Sequence, residues 1–100
     1  MEILTPEKIE ILRAALRTWG SEAQLALAQE ELAELVVKIS HYRRARITAG
    51  RVSEEIADVQ IMLWQMMEMP EFSGVATAIA DKLNRLEIRI DDAEVKNVNA

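Results

Sequence analysis

Five residues punctuate this chain. Pro6, Gly20, Gly50, Pro70 and Gly74 are its only prolines and glycines. Between them run segments free of helix breakers, the longest from Ser21 to Ala49. Such a chain suits helices better than the short, turn-rich strands of a sandwich. Aromatic residues, which favour strands, make up only 4% of it although half of it is hydrophobic, and this points the same way.

Periodicity divides the chain into four helices. Thr5-Pro6-Glu7 supplies a cap, a proline suited to the first helical position and an acid that complements the dipole. Ile9, Leu12, Leu16 and Trp19 then form one apolar stripe over about 6–19, with Lys8, Arg13 and Arg17 on the wet side. Gly20 ends this helix. Ser21 and Gln24 read as a capping box opening a helix over about 22–45, whose core face is marked by Leu25, Ala28, Leu32, Leu35 and Ile39. Ile47 to Val52 reads as a loop, and Ser53 as the cap of a third helix over about 54–68. That helix carries Ile56, Val59, Ile61, Met62, Leu63, Trp64, Met66 and Met67 and is apolar on nearly every side. A helix of this kind is buried all round, which a small chain can hardly achieve alone. A subunit interface is therefore expected; an adaptable methionine-rich core is the other reading. Pro70 stops the helix, and Ser73 or Gly74 opens a fourth over about 74–91, striped by Val75, Ile79, Leu83, Leu86 and Ile90. The tail over 92–100 is polar and expected to fray. The expectation is one all-α domain over 1–100, an antiparallel bundle of about four helices completed by homo-oligomerisation as a homodimer or homotetramer.

Composition narrows the function. One hundred residues with a formal charge of −5 argue against nucleic acid as a partner, because phosphate-backbone binders are usually basic. The chain has no cysteine, so it offers neither a disulfide framework nor a thiolate metal site. No apolar run approaches the roughly 18–20 residues that span a bilayer. Met1-Glu2-Ile3-Leu4-Thr5-Pro6 lacks the basic region and apolar core of a signal peptide. A cytoplasmic protein with no membrane partner is expected.

Two acidic stretches lie within the apolar helices. Gln29-Glu30-Glu31-Leu32-Ala33-Glu34 belongs to the second, and Ser53-Glu54-Glu55-Ile56-Ala57-Asp58 to the third. Glu31 with Glu34, and Glu55 with Asp58, are three residues apart, which on a helix places each pair on one face. If the two helices pack as a hairpin, four carboxylates converge, and anions crowded in a low dielectric call for cations. An all-oxygen donor set selects a hard ion such as Mg2+ or Mn2+. Between Leu35 and Ser53 there is no acid, while Lys38, Arg43, Arg44, Arg46 and Arg51 are all basic. Cations complement a helix C-terminus; beside a metal site they would also serve as phosphate-binding arms. Surface helices abound in solvated Glu-x-x-Glu pairs, so the weight rests on the whole arrangement.

That arrangement, Glu30-Glu31-x-x-Glu34 followed about twenty residues later by Glu55-x-x-Asp58, resembles the all-α nucleoside triphosphate pyrophosphohydrolases of the MazG type. Their signature is Glu-Glu-x-x-Glu followed by Glu-x-x-Asp. The resemblance runs from about Trp19 to Met67, and Trp19-Gly20-x-x-x-Gln24 is similar to the short, single-domain, phage-type members. It implies Mg2+-dependent hydrolysis of a nucleoside triphosphate to the monophosphate and pyrophosphate. By position, it makes Glu31, Glu34, Glu55 and Asp58 the metal-binding and catalytic residues, with Glu30 in support. It also suggests Trp19, Gln24 and Leu27 for the base, and Lys38, Lys82 and Arg85 for the phosphates. Glu34 or Glu31 would take the proton of an attacking water. His41, the only histidine, reads as a surface residue, and Trp19 and Trp64 read from the residues alone as core or interface in preference to base-stacking platforms. The alternative is a non-catalytic helical module of the same fold that oligomerises or binds a partner.

Overall fold

The computed structural model describes residues 3–99 and is all-helical, with no strand among them. Four α-helices and one 3-10 turn follow in order: α1 (Pro6–Trp19), α2 (Ser21–Arg43), α3 (Ala49–Met67), the turn Pro70–Phe72, and α4 (Val75–Asn99). The start of α1 is as expected: the Thr5 hydroxyl accepts from the Lys8 amide, and Pro6 is the first helical residue.

The junctions differ from expectation in four places. Gly20, at φ 87°, is the whole link between α1 and α2, a backbone conformation that L side chains rarely adopt. Ser21 is already helical, no side chain caps α2, and Gln24 is buried instead of reaching back. No capping box forms, because the chain turns too sharply to leave a free cap residue. At its other end α2 stops at Arg43. The Ala45 amide donates to the Tyr42 carbonyl (2.9 Å) and the Arg46 amide to the His41 carbonyl (2.8 Å). With Ala45 left-handed at φ 58°, this is the Schellman closure, here with alanine where glycine is usual.

α3 begins five residues before the expected boundary. Thr48, in place of Ser53, is its cap and accepts from the Arg51 amide at 3.3 Å. The Ser53 hydroxyl donates to the Ala49 carbonyl inside the helix, and Gly50 is helical. The 92–100 tail is also revised: α4 continues to Asn99, because polar residues without glycine or proline extend a helix readily.

α2 and α3 form an antiparallel hairpin. His41 and Ile47 line one pocket near the connection, Lys38 pairs with Glu55, and Leu27 and Ile61 line a pocket further away. α1 lies across this hairpin, tied by Arg13 to Glu68 at 2.6 Å. The buried apolar residues are few: Leu12, Ala28, Val59, Met62 and Met69. On α2 the buried or half-buried positions are Gln24, Leu25, Ala28, Glu31, Leu35, Lys38, Ser40 and His41, while Leu32 and Ile39 of the expected core face are exposed. Nor is α3 buried all round, since Ile56, Ile61 and Leu63 are exposed. α4 packs along none of the other helices, and its side chains from Ala76 to Val98 are exposed. The radius of gyration, 17.4 Å, exceeds the ~13 Å of a compact 100-residue domain because this helix projects.

These junctions carry a test by urea unfolding. Thr48→Ala is expected to cost about 1 kcal/mol and Ser53→Ala less than about 0.5 kcal/mol. Ala45→Gly is expected to gain about 0.5–1 kcal/mol by relieving the left-handed alanine. A larger loss from Ser53→Ala than from Thr48→Ala would contradict the start of α3.

Candidate metal centre

The hairpin register brings three of the four expected acids together. Carboxylate oxygens of Glu31, Glu34 and Glu55 lie within 4.8 Å of one another. Glu31 and Glu34 come from successive turns of α2, and Glu55 from the facing side of α3. Their exposures form a gradient. Glu55 is 1% exposed at the base, Glu31 is half-buried and Glu34 stands at the rim. Asp58 is exposed one turn further along α3 and lies outside the three-oxygen cluster. It lines a pocket of about 190 Å³ with Leu27, Glu31, Ile61 and Met62, and its charge bears on Glu31.

A buried carboxylate needs a partner, and Glu55 has one. The Lys38 ammonium donates to Glu55 Oε1 at 2.8 Å. The other oxygen, Oε2, is buried with no hydrogen-bond partner, and so is Oε2 of Glu31. Where both carboxylates are ionised, no donor stands between them; a proton or a cation would supply the missing positive charge. The titration behaviour reflects this. The hydrogen bond that a protonated Glu31 would donate to Glu55, then burial and the charges of Glu55, Glu34 and Asp58, push Glu31 up to about 7 from its usual 4.5. The same hydrogen bond, followed by that of Lys38, holds Glu55 below the ordinary carboxyl range. The two directions are opposite sides of one pairing, in which Glu31 is the carboxyl group that takes up a proton more readily. Glu34 is raised as well, chiefly by hydrogen bonding to Glu55.

The donor set suits a hard divalent ion. Three carboxylates against one ammonium leave a deficit of two positive charges, and all the donors are oxygens. Oxygens on opposite sides of Mg2+ stand about 4.2 Å apart, twice the usual metal–oxygen distance. The three oxygens, all within 4.8 Å of one another, need a shift of less than ~1 Å to meet this span, within reach of a side-chain adjustment.

The remaining expected residues are scattered. Glu30 is exposed beside Glu34. Leu27 reaches the Asp58 pocket, whereas Gln24 is buried within the helix packing and Trp19 is 65% exposed at the end of α1, lining neither pocket beside the acids. Lys38 is engaged by Glu55. Lys82 and Arg85 are exposed on α4, which the single chain does not bring to the hairpin. A second pocket, of about 370 Å³, was not foreseen as a unit. Glu34, Lys38, His41, Ile47 and Arg51 line it with Ala33 and Val37. The Thr48 cap was its signal, because a helix starting there sets Arg51 on α3 one turn before Glu55. Compared with known proteins, the chain gives no significant match to a family model, a curated protein or a solved structure.

The shared proton predicts a pH dependence. Glu31 titrates higher when folded than its usual 4.5. Its contribution to stability is therefore complete below pH 4.5 and is lost as pH rises through about 7. Glu55 acts in the opposite sense, but below the ordinary carboxyl range. Thermal melts in chelator are expected to show Tm falling between about pH 4.5 and 7, with Glu31→Gln flattening the fall. A metal-free Tm that rises across this interval would contradict the assignment.

Proposed function

We propose that this protein is a Mg2+-dependent nucleoside triphosphate pyrophosphohydrolase of the MazG-like type, able to use Mn2+. The observation that carries the reading is the joining of Glu31, Glu34 and Glu55 around two buried carboxylate oxygens that lack partners. These are residues of the motif that suggested the activity. Glu31, Glu34 and Glu55 would hold the ion, with Asp58 completing the set from the next turn. When bound, the ion supplies the positive field that lets an acidic wall accept a triphosphate and lowers the pKa of a coordinated water.

The chain's own residues supply the rest. Glu55 is the fixed base of the site, locked by burial. Glu34 is at the rim, adjoins the larger pocket and is raised in pKa, which suits a carboxylate oxygen to accept a proton from the attacking water. Attack at the α phosphorus breaks the bridge to the β phosphorus, and pyrophosphate leaves. Lys38 and Arg51, both lining that pocket, are placed to stabilise charge on the phosphates. Leu27 offers an apolar contact on the Asp58 side. The protein works in the cytoplasm, with neither nucleic acid nor membrane as partner; no helix among the described residues is long and apolar enough to cross a membrane.

We infer further that the working form is a homodimer or homotetramer. Two uncovered apolar surfaces support this. One is the α4 face with Ile79, Leu83, Leu86 and Ile90; the other includes Leu32, Val36 and Ile39 of α2. A contiguous exposed apolar face of this kind marks an interface. Packing of α4 onto a second copy is also the route by which Lys82 and Arg85 could reach the acids. One observation favours a second reading, a non-catalytic bundle: Glu55 already has a cationic partner in Lys38.

Two measurements test these readings. With Mg2+ and a nucleotide panel including dUTP and dCTP, the protein is expected to release pyrophosphate and a monophosphate. Glu34→Gln and Asp58→Asn should slow this on the order of 100-fold; no release by any of the three would favour the non-catalytic bundle, and equal release by all three would remove these acids from the reaction. Light scattering is expected to give at least twice the 11.3 kDa of one chain, with Leu83→Glu shifting the mass towards the monomer. A wild-type monomer at tens of micromolar would contradict self-association.

A further inference from the structure

A role at the phosphates does not explain why Lys38 is paired with Glu55. Its ammonium is the cation hydrogen-bonded to the acid cluster, on the most buried carboxylate of the three. Glu55 is 1% exposed, yet the Lys38 side chain is 38% exposed. The lysine thus reaches inward from the solvent side, its flexible four-carbon stem bordering the pocket of about 370 Å³. An ammonium is a compact point charge on such a stem and moves without moving the helix. A divalent ion entering the cluster would compete for the same carboxylate, and two cations on one buried carboxyl group repel each other strongly.

We propose that Lys38 is a displaceable counterion, which holds Glu55 in the metal-free protein and yields it to a divalent cation, its ammonium moving into the adjoining pocket. This rests on the metal reading given above and adds regulation to it. While Lys38 stays in place, the buried acid is stabilised and the bundle can fold before metal arrives. Once displaced, the same ammonium stands in the pocket shared with Arg51, beside the rim acid Glu34. Metal loading and the placing of a cation for an anionic ligand become one event. Lys38 is by this account a positioning residue whose pairing lowers metal affinity.

Two readouts besides activity test the proposal. The first uses the wild-type chain: amine acetylation followed by site-resolved mass spectrometry, with and without Mg2+. Lys8, Lys82 and Lys96 serve as internal references. Lys38 is expected to be the slowest to react without metal, and Mg2+ should raise its rate several-fold while leaving the references unchanged. The second is Mn2+ titration calorimetry of wild type and Lys38→Met. Losing the competitor should tighten binding by about 10-fold, equivalent to ~1.4 kcal/mol. Saturable Mn2+ binding with Lys38 equally protected in both states would overturn displacement and leave the metal site standing. So would Mn2+ binding to Lys38→Met no tighter than to wild type. If wild type shows no saturable Mn2+ binding, the metal reading falls and the counterion role falls with it. Acetylation of metal-free Lys38 as fast as Lys82 would remove the ion pair on which the argument stands.

Discussion

The burial of Glu55 is the constraint on which the rest of the structure depends. A carboxylate almost wholly removed from water at the centre of a helical hairpin is costly unless its charge is answered. The chain answers half of it, with Lys38 on one oxygen, and leaves the other oxygen facing Glu31 with no donor between them. Replacing such a network with well-packed apolar residues is often neutral or stabilising. Its presence among Ala28, Val59 and Met62 therefore points to use rather than to support of the fold. The raised Glu31 and lowered Glu55 are two views of one missing positive charge.

The hairpin register turns sequence spacing into this cluster. Glu31 and Glu34 on one helix are neighbours by local geometry alone. Bringing Glu55 against them needs α2 and α3 to pack antiparallel in one alignment, which the closure around Ala45 and the Thr48 cap together set. A shift of one helical turn would set Asp58 or Arg51 where Glu55 stands. The short connection is thus part of the site's chemistry, although none of its residues is an acid.

Much of the fold was legible in the sequence, and the reasons are local. Pro6, Gly20, Pro70 and Gly74 mark real helix ends because their effect on the backbone depends little on context. The acid spacing was legible because i, i+3 geometry is a property of any helix. Less was visible where a tertiary choice decides. Ser21 and Ser53 look like caps, but each can also sit inside a helix, and only the neighbouring turn settles which. Ala28, Leu32 and Leu35 share one stripe of α2, and periodicity alone could not say that the inward line runs from Ala28 through Glu31 to Leu35 and leaves Leu32 exposed. Lys38 stood among five basic residues in an acid-free stretch, and its pairing with Glu55 required knowing the register. α4 looked like a bundle member from its stripe; the stripe says that a partner is needed, not which one.

The central claim is that a divalent cation completes the charge that Glu31, Glu34 and Glu55 leave unanswered. Anomalous diffraction from crystals equilibrated with millimolar Mn2+ addresses it most directly. The account predicts a peak bounded by carboxylate oxygens of those three residues, with Lys38 drawn away from Glu55. Crystals with no peak there, and with the lysine still on Glu55 at saturating Mn2+, would contradict it.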